Sequence, residues 1–200
     1  MQKSFNKMRR GYEEFRHKYV DGDQAIMQHL SDYGQEPQVM VVACCDSRVD
    51  PALILQCDPG DLFVVRNVAN IVPPYEKDAM HHGTSAALEF GIRFLQVKHL
   101  ILLGHSQCGG IQTLLNCDFA KDNDFISNWV SIIDGQPLHA DSVDDCAREA
   151  LKKSLQNSLT FPWIRERVDA GQLAIHLWYF DIKTGSISSY AESEGMFKPL

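Results

Sequence analysis

Residues 38–49 read QVMVVACCDSRV, and residues 98–111 read KHLILLGHSQCGGI. In each stretch an apolar run of strand length stops abruptly at cysteine, aspartate, arginine or histidine. Apolar runs of this kind are the mark of strands buried inside a sheet, and polar groups at their exits call for an explanation. The segments around them supply the frame. DLFVVRNVAN (61–70) reads as a strand after the Pro59–Gly60 turn, and GTSAALEFGIRFLQ (83–96) reads as an amphipathic helix leading into the strand at 98–105. Helical segments are expected around 124–133, 141–158 and 161–170. A fourth strand follows at LAIHLWYF (173–180), and a short edge strand near 186–190 comes after the Thr184–Gly185 turn. Strand alternating with helix predicts an α/β fold, with a mainly parallel sheet of four strands plus an edge strand, flanked by helices. In such sheets ligands bind just outside the carboxyl ends of the strands, so the two polar motifs are expected to share one site.

The N-terminal segment is different in kind. Phe5, Met8, Tyr12, Phe15 and Tyr19 recur at spacings of three and four, which places five large side chains along one narrow stripe of a helix. Such a stripe either faces the core of its own chain or packs on a second subunit. Residues 1–30 are therefore expected to form a helical arm on a single domain spanning 1–200.

Composition narrows the function. The chain has 200 residues, 44% of them hydrophobic, which suffices for one full core without disulfide staples. Its formal net charge is −7 and its basic residues are scattered, so no stripe is present that could track a phosphate backbone, and nucleic acid is not an expected partner. MQKSFNKMRRGYEEF has no apolar core of the kind a secretory signal needs, and no apolar run approaches the ~20 residues of a membrane span. A cytoplasmic location without membrane contact is expected. The six cysteines, at 44, 45, 57, 108, 117 and 146, are irregularly spaced, and in such a chain clustered cysteine and histidine point to a metal or to catalysis.

Cys44, His105 and Cys108 supply two thiolates and one imidazole, a donor set that suits zinc in tetrahedral geometry. Three protein ligands leave a fourth position, the layout of a catalytic rather than a structural zinc. Asp46 could fill that position or hold the water bound there, and Arg48 is spaced to meet Asp46 in a forked ion pair. Cys45 is expected to point away from the metal. Cys57, Cys117 and Cys146 read as packing residues. His81–His82 are either proton carriers or solvated surface, and His17, His29, His99, His139 and His176 have no visible partner.

CCDSRV (44–49) resembles the Cys-x-Asp-Ser-Arg motif of the β-class carbonic anhydrases, and GHSQCGGI (104–111) resembles that family's His-x-x-Cys-Gly-Gly motif. PGDLFVVRNVANIVPPY (59–75) resembles the segment that joins them, and GQLAIHLWYFDIKTGSI (171–187) the last strand pair. The resemblance implies zinc-dependent reversible hydration of carbon dioxide to bicarbonate and a proton. It implies Zn2+ on Cys44, His105 and Cys108, and a catalytic dyad of Asp46 and Arg48. Gly109, with Gly110, would bring a backbone N–H to the developing carboxylate without a side chain in the way. Gln35, Phe63, Val68 and Phe90 would bind substrate in a small apolar pocket. Phe90 stands where plant-type members carry Tyr, and Phe94 where they carry His. The family's pocket lies between two subunits, so a homodimer is the minimal unit expected, with the arm packed across the partner. Val41 and Ala43 stand where members closed by their aspartate carry Trp and Gly, which together with Gln35 implies the open form. Other readings of the same residues are a zinc hydrolase of carbon disulfide or carbonyl sulfide, a non-catalytic zinc-stabilised binding module, and a redox protein.

Overall fold

The computed structural model describes residues 2–22, 25–78, 81–115, 125–133 and 142–200. Two helices come first, α1 (Gln2–Tyr19) and α2 (Ile26–Tyr33), so the arm's second helix runs past the expected boundary at residue 30. The apolar run then forms β1 (Val39–Cys44), followed by the short α3 (Pro51–Leu55) and by β2 (Leu62–Asn67). α4 (Gly83–Glu89) continues into a wider π-type turn over Phe90–Phe94 and leads to β3 (His99–His105), which is followed by α5 (Gly109–Leu115) and α6 (Ile126–Val130). The rest of the chain is α7 (Val143–Ser158), α8 (Pro162–Asp169), β4 (Ala174–Phe180), β5 (Ile187–Ala191) and β6 (Met196–Pro199). Cys117 and His139 lie outside the described residues.

The strands form one six-stranded sheet in the order β2-β1-β3-β4-β5-β6. The first four run parallel, as expected, while β4–β5 and β5–β6 pair antiparallel. The expected edge strand is therefore internal, because β6 pairs outside it. MFKP is four residues long, ends in proline, and has only Phe197 partly buried, so it carries no alternation from which a strand could be read.

β1 and β3 form the centre of the core. Met40, Val42, Leu100 and Leu102 are fully buried, and Gly104 lies so close to Leu151 of α7 that a Cβ there would stand 2.9 Å from a Leu151 methyl. The strand expected over 61–70 stops at Asn67. There Ala69 and Asn70 adopt left-handed φ of 63° and 48°, and the Asn67 side chain closes the turn by accepting from Ile71 N and donating to Ile71 O. That turn brings Val68 and Ala69 against Gly110, whose missing Cβ would otherwise meet Val68 at 2.6 Å. Glycine at 110 thus lets α5 press onto the end of β2, next to the exits of β1 and β3.

Candidate metal centre

β1 ends at Cys44 and the neighbouring parallel β3 ends at His105, so the two motifs meet at one edge of the sheet. A turn through Gln107, which takes a left-handed φ of 55°, then returns the chain to place Cys108 beside them. Asp144 of α7 holds this turn by accepting the Gln107 N–H at 2.8 Å, and Ser106 N donates to Phe180 O at the end of β4.

The ligand atoms of Cys44, His105 and Cys108 lie within 4.8 Å of one another, and all three residues are buried. The sulfurs are 3.9 Å apart. His105 Nδ1 donates to Ser106 O at 2.9 Å, which fixes the tautomer and leaves Nε2 with a bare lone pair. That Nε2 is buried and has no hydrogen-bond partner. A buried acceptor without a donor is costly, and a metal ion converts the cost into a bond. The cysteines point the same way. The Cys108 thiol facing Cys44, helped by His105 and by the N–H groups of Asp46 and Ala69, lowers Cys44 against its burial, while the resulting thiolate and burial push Cys108 up. Two adjacent sulfurs cannot both ionise without a cation between them. An imidazole and two thiols with such needs fit zinc.

Asp46 and Arg48 form the expected fork. Arg48 Nε donates to Oδ1 at 2.9 Å and a terminal nitrogen to Oδ2 at 2.7 Å, with the Arg48 N–H adding a third bond at 3.0 Å. The guanidinium holds Asp46 well below the usual carboxylate range, outweighing the effect of burial. Cys45 is exposed and stands outside the ligand cluster, as expected.

Arg66 and Asp50 escaped the sequence reading. Arg66 donates to Cys44 O at 2.8 Å and to Asp46 O at 2.7 Å, and pairs with Asp50 at 2.8 Å. Asp50 in turn caps α3 through Ala52 N and Leu53 N. One arginine therefore ties down the loop that carries Cys44 and the Asp46–Arg48 pair. The available signal was a charged residue inside the apolar run LFVVRN, across from Ala43 in the sheet.

The expected substrate residues do not come together within one chain. Val68 lies at the metal edge, against Gly110. Gly109 opens α5 beside Cys108, with nothing within 4 Å of where its Cβ would be. Phe63, however, pairs in register with Met40, four residues before Cys44, about 13 Å along the sheet at ~3.3 Å per residue. Phe90 packs beside Phe63 in a tilted ring contact, with ring centroids 5.7 Å apart, and is itself exposed. Gln35 is exposed in the loop that enters β1, before the strand begins. A pocket built by these residues around one chain's metal edge is thus not formed by that same chain, because parallel strands separate their starts from their ends.

Of the histidines expected to lack partners, His99 Nδ1 and His176 Nε2 are paired at 3.1 Å, and burial, then His99, lowers His176. His82 Nε2 meets Asp78 at 2.7 Å. Next to the metal edge a cavity of about 890 Å3 opens between Cys45, Asn67 and Val68 on one side and His81, His82 and Trp129 on the other.

The sequence profile of the family described as carbonic anhydrase matches residues 39–187. The chain is 38% identical to β carbonic anhydrase 5, chloroplastic, of Arabidopsis thaliana, over 90% of this chain and 64% of that protein. It is 32% identical to a carbonic anhydrase of Synechocystis sp., over 90% and 69% of the respective lengths. Among solved structures, the β-carbonic anhydrase CcaA superposes with a TM-score of 0.87 at 30% identity, covering 99% of this chain and 92% of that one. A tetrameric β-carbonic anhydrase of Sordaria macrospora superposes with a TM-score of 0.74 at 28% identity, covering 98% and 95%. The chain thus spans less than two thirds of the length of the Arabidopsis relative.

Proposed function

Because the chain belongs to the β-class carbonic anhydrases, a family of zinc enzymes, we propose that it catalyses the reversible hydration of carbon dioxide to bicarbonate and a proton, with one Zn2+ per chain on Cys44, His105 and Cys108. The observation that carries the reading is the bare, buried Nε2 of His105 converging with two sulfurs. When bound, the ion supplies Lewis acidity that brings the pKa of a coordinated water towards neutrality.

The protein's own groups do the rest. Asp46 is kept ionised by Arg48, so it can only accept hydrogen bonds. A carboxylate at the mouth of the cluster therefore orients the attacking water by taking a bond from it. Arg48 acts through Asp46. With both carboxylate oxygens engaged by the guanidinium, Asp46 is held away from ligating the metal, which is the open form. The open space over Gly109 leaves room for a carboxylate oxygen near the start of α5. Val68 offers an apolar wall.

Gln35, Phe63 and Phe90 enter this reading from a second copy of the chain. Their distance from their own metal edge and the exposure of Gln35 and Phe90 support a homodimer as the working unit, with the α1 stripe packed on the partner. Each chain is then one domain, 1–200, with the arm reaching across. Among the described residues no helix is long and apolar enough to cross a membrane. A cytoplasmic site of action is part of the proposal. The Arabidopsis relative is named chloroplastic, and cell fractionation distinguishes the two.

Elemental analysis combined with a stopped-flow hydration assay tests the function. One zinc per chain with CO2 turnover is expected. Stoichiometric zinc with no turnover at any pH would leave a zinc-stabilised binding module. Parallel assays with carbon disulfide and carbonyl sulfide show which linear molecule is preferred.

A further inference from the structure

Hydration of carbon dioxide releases one proton for each bicarbonate formed, and that proton must leave the buried metal edge before the next cycle. Both carboxylate oxygens of Asp46 are already engaged by the Arg48 guanidinium, so the proton calls for another carrier. The cavity beside the metal edge offers a route. Its inner wall is made by Cys45 and Val68. Asn67 also lines it, sits across from Cys44 in the sheet, and donates to Thr84 Oγ1 at 3.3 Å. Thr84 lies in the first turn of α4, and the residue that precedes this helix is His82, on the outer wall of the same cavity. Imidazole is the side chain whose ordinary pKa lets it both accept and release a proton near pH 7.

We propose that His82, positioned by Asp78, is the proton carrier of this enzyme, a role that rests on the carbonic anhydrase reading. Asp78 lies 2.7 Å from His82 Nε2 and, being a carboxylate, accepts that N–H. The hydrogen bond fixes the tautomer with Nδ1 free to accept. His82 is one third exposed, so the ring reaches both cavity and solvent. In the forward direction the reacting water gives up its proton through cavity waters to Nδ1. Neutral His82 becomes imidazolium beside the Asp78 carboxylate and then passes the proton to a buffer base, returning to its neutral state. The other titratable groups on the cavity are His81, Glu76 and Cys45. His81 is more exposed and is not paired with Asp78 in the way His82 is, which makes it the natural control.

The test uses the zinc-loaded enzyme in weak buffer and then with added imidazole. His82→Ala should lower kcat for hydration roughly tenfold or more in weak buffer, with KM for CO2 unchanged, and imidazole should restore it. Isotope exchange between CO2 and bicarbonate at equilibrium does not require the proton to leave the site, and it should stay at the wild-type rate. Nitrogen NMR of the ring should show the Nε2–H tautomer of His82, lost in Asp78→Asn. Wild-type hydration by His82→Ala in weak buffer overturns the proposal, as does loss in His81→Ala alone. A loss that imidazole does not restore, accompanied by loss of exchange, also overturns it and leaves His82 a structural role. His82→Gln repeats the measurement if the alanine variant folds poorly. Absence of both hydration and exchange in the unaltered enzyme would instead sink the carbonic anhydrase reading itself.

Discussion

The two ends of the parallel sheet differ in how far one chain completes them. At the carboxyl ends of β1 and β3, Cys44, His105 and Cys108 are buried, and the turns that carry them are braced by Arg66, Asp50, Asp144 and Arg48. At the opposite end and along the arm, large apolar groups stand in solvent. Phe90 is 45% exposed, Phe94 69%, Phe5 68%, Met8 63% and Tyr12 61%, and α1 has no buried residue. Its last turn is fastened by Tyr19 and Lys18, which both bond Asp58. A metal centre tolerates no slack, so its supports are supplied within the chain, while contiguous exposed apolar surface marks a place where another surface belongs. The Cys44, His105 and Cys108 cluster is braced within the chain, and the aromatics at the far end of the sheet are not.

The largest expected effect breaks the end that is braced within the chain. Replacing Cys44, His105 or Cys108 by alanine should remove zinc and reduce hydration to background, read by elemental analysis beside the assay. If Cys44→Ala keeps one zinc per chain, the ligand assignment fails. Asp46→Asn should come next, keeping zinc while lowering kcat by about 10²- to 10³-fold, the scale for losing one oriented hydrogen-bonding group at a reacting centre. A variant that loses zinc instead would show Asp46 to be a ligand. A crystal structure near neutral pH distinguishes the same two roles through the Asp46 to metal distance, since a ligating oxygen would stand about 2.0–2.2 Å away.

Removing residues 2–19 probes the incomplete end. The metal edge should survive with its zinc, while the dimer weakens and activity falls on dilution, as measured by sedimentation and by rate against concentration. A truncated chain that stays dimeric at low concentration with undiminished stability would mean that the α1 stripe does not hold the partner. The smallest expected effect is that of Cys45→Ser. An exposed thiol outside the ligand cluster should be replaceable with zinc content and rate near wild type, and loss of zinc there alone would demand a different ligand set.

Particular residues show why some features were readable and others were not. β1 and β3 could be read because both faces of a central strand are buried and every position must be apolar. The cluster of Cys44, His105 and Cys108, which could hold a metal ion, was readable because few side chains bind zinc and their spacing is local. β6 could not, since a short exposed edge strand obeys no periodicity and its pairing with β5 is formed across the chain. The end of β2 at Asn67 was hidden as well, because Val68 and Ala69 continue the apolar run while the turn is made by a side chain bonding four residues ahead. The π-type turn at Phe90–Phe94 has a similar cause. Arg167, from far along the chain, donates to Ile92 O and Val97 O, holding the helix end open in a way no local pattern records.

Residue chemistry and local spacing were enough, by themselves, to determine that this chain builds a parallel sheet whose strand ends carry two thiols, an imidazole and an aspartate–arginine pair. Tertiary structure alone decided that Arg66 ties the Cys44 loop down, that His82, paired with Asp78, lines one cavity with Val68, and that Phe63 and Phe90 lie at the wrong end of their own sheet. The physical reason is reach. Strand burial, helix spacing and ligand type act within a few residues and leave their record in the sequence, whereas a salt bridge, a cavity wall or a distance along a strand is set by which segments the packed core brings side by side.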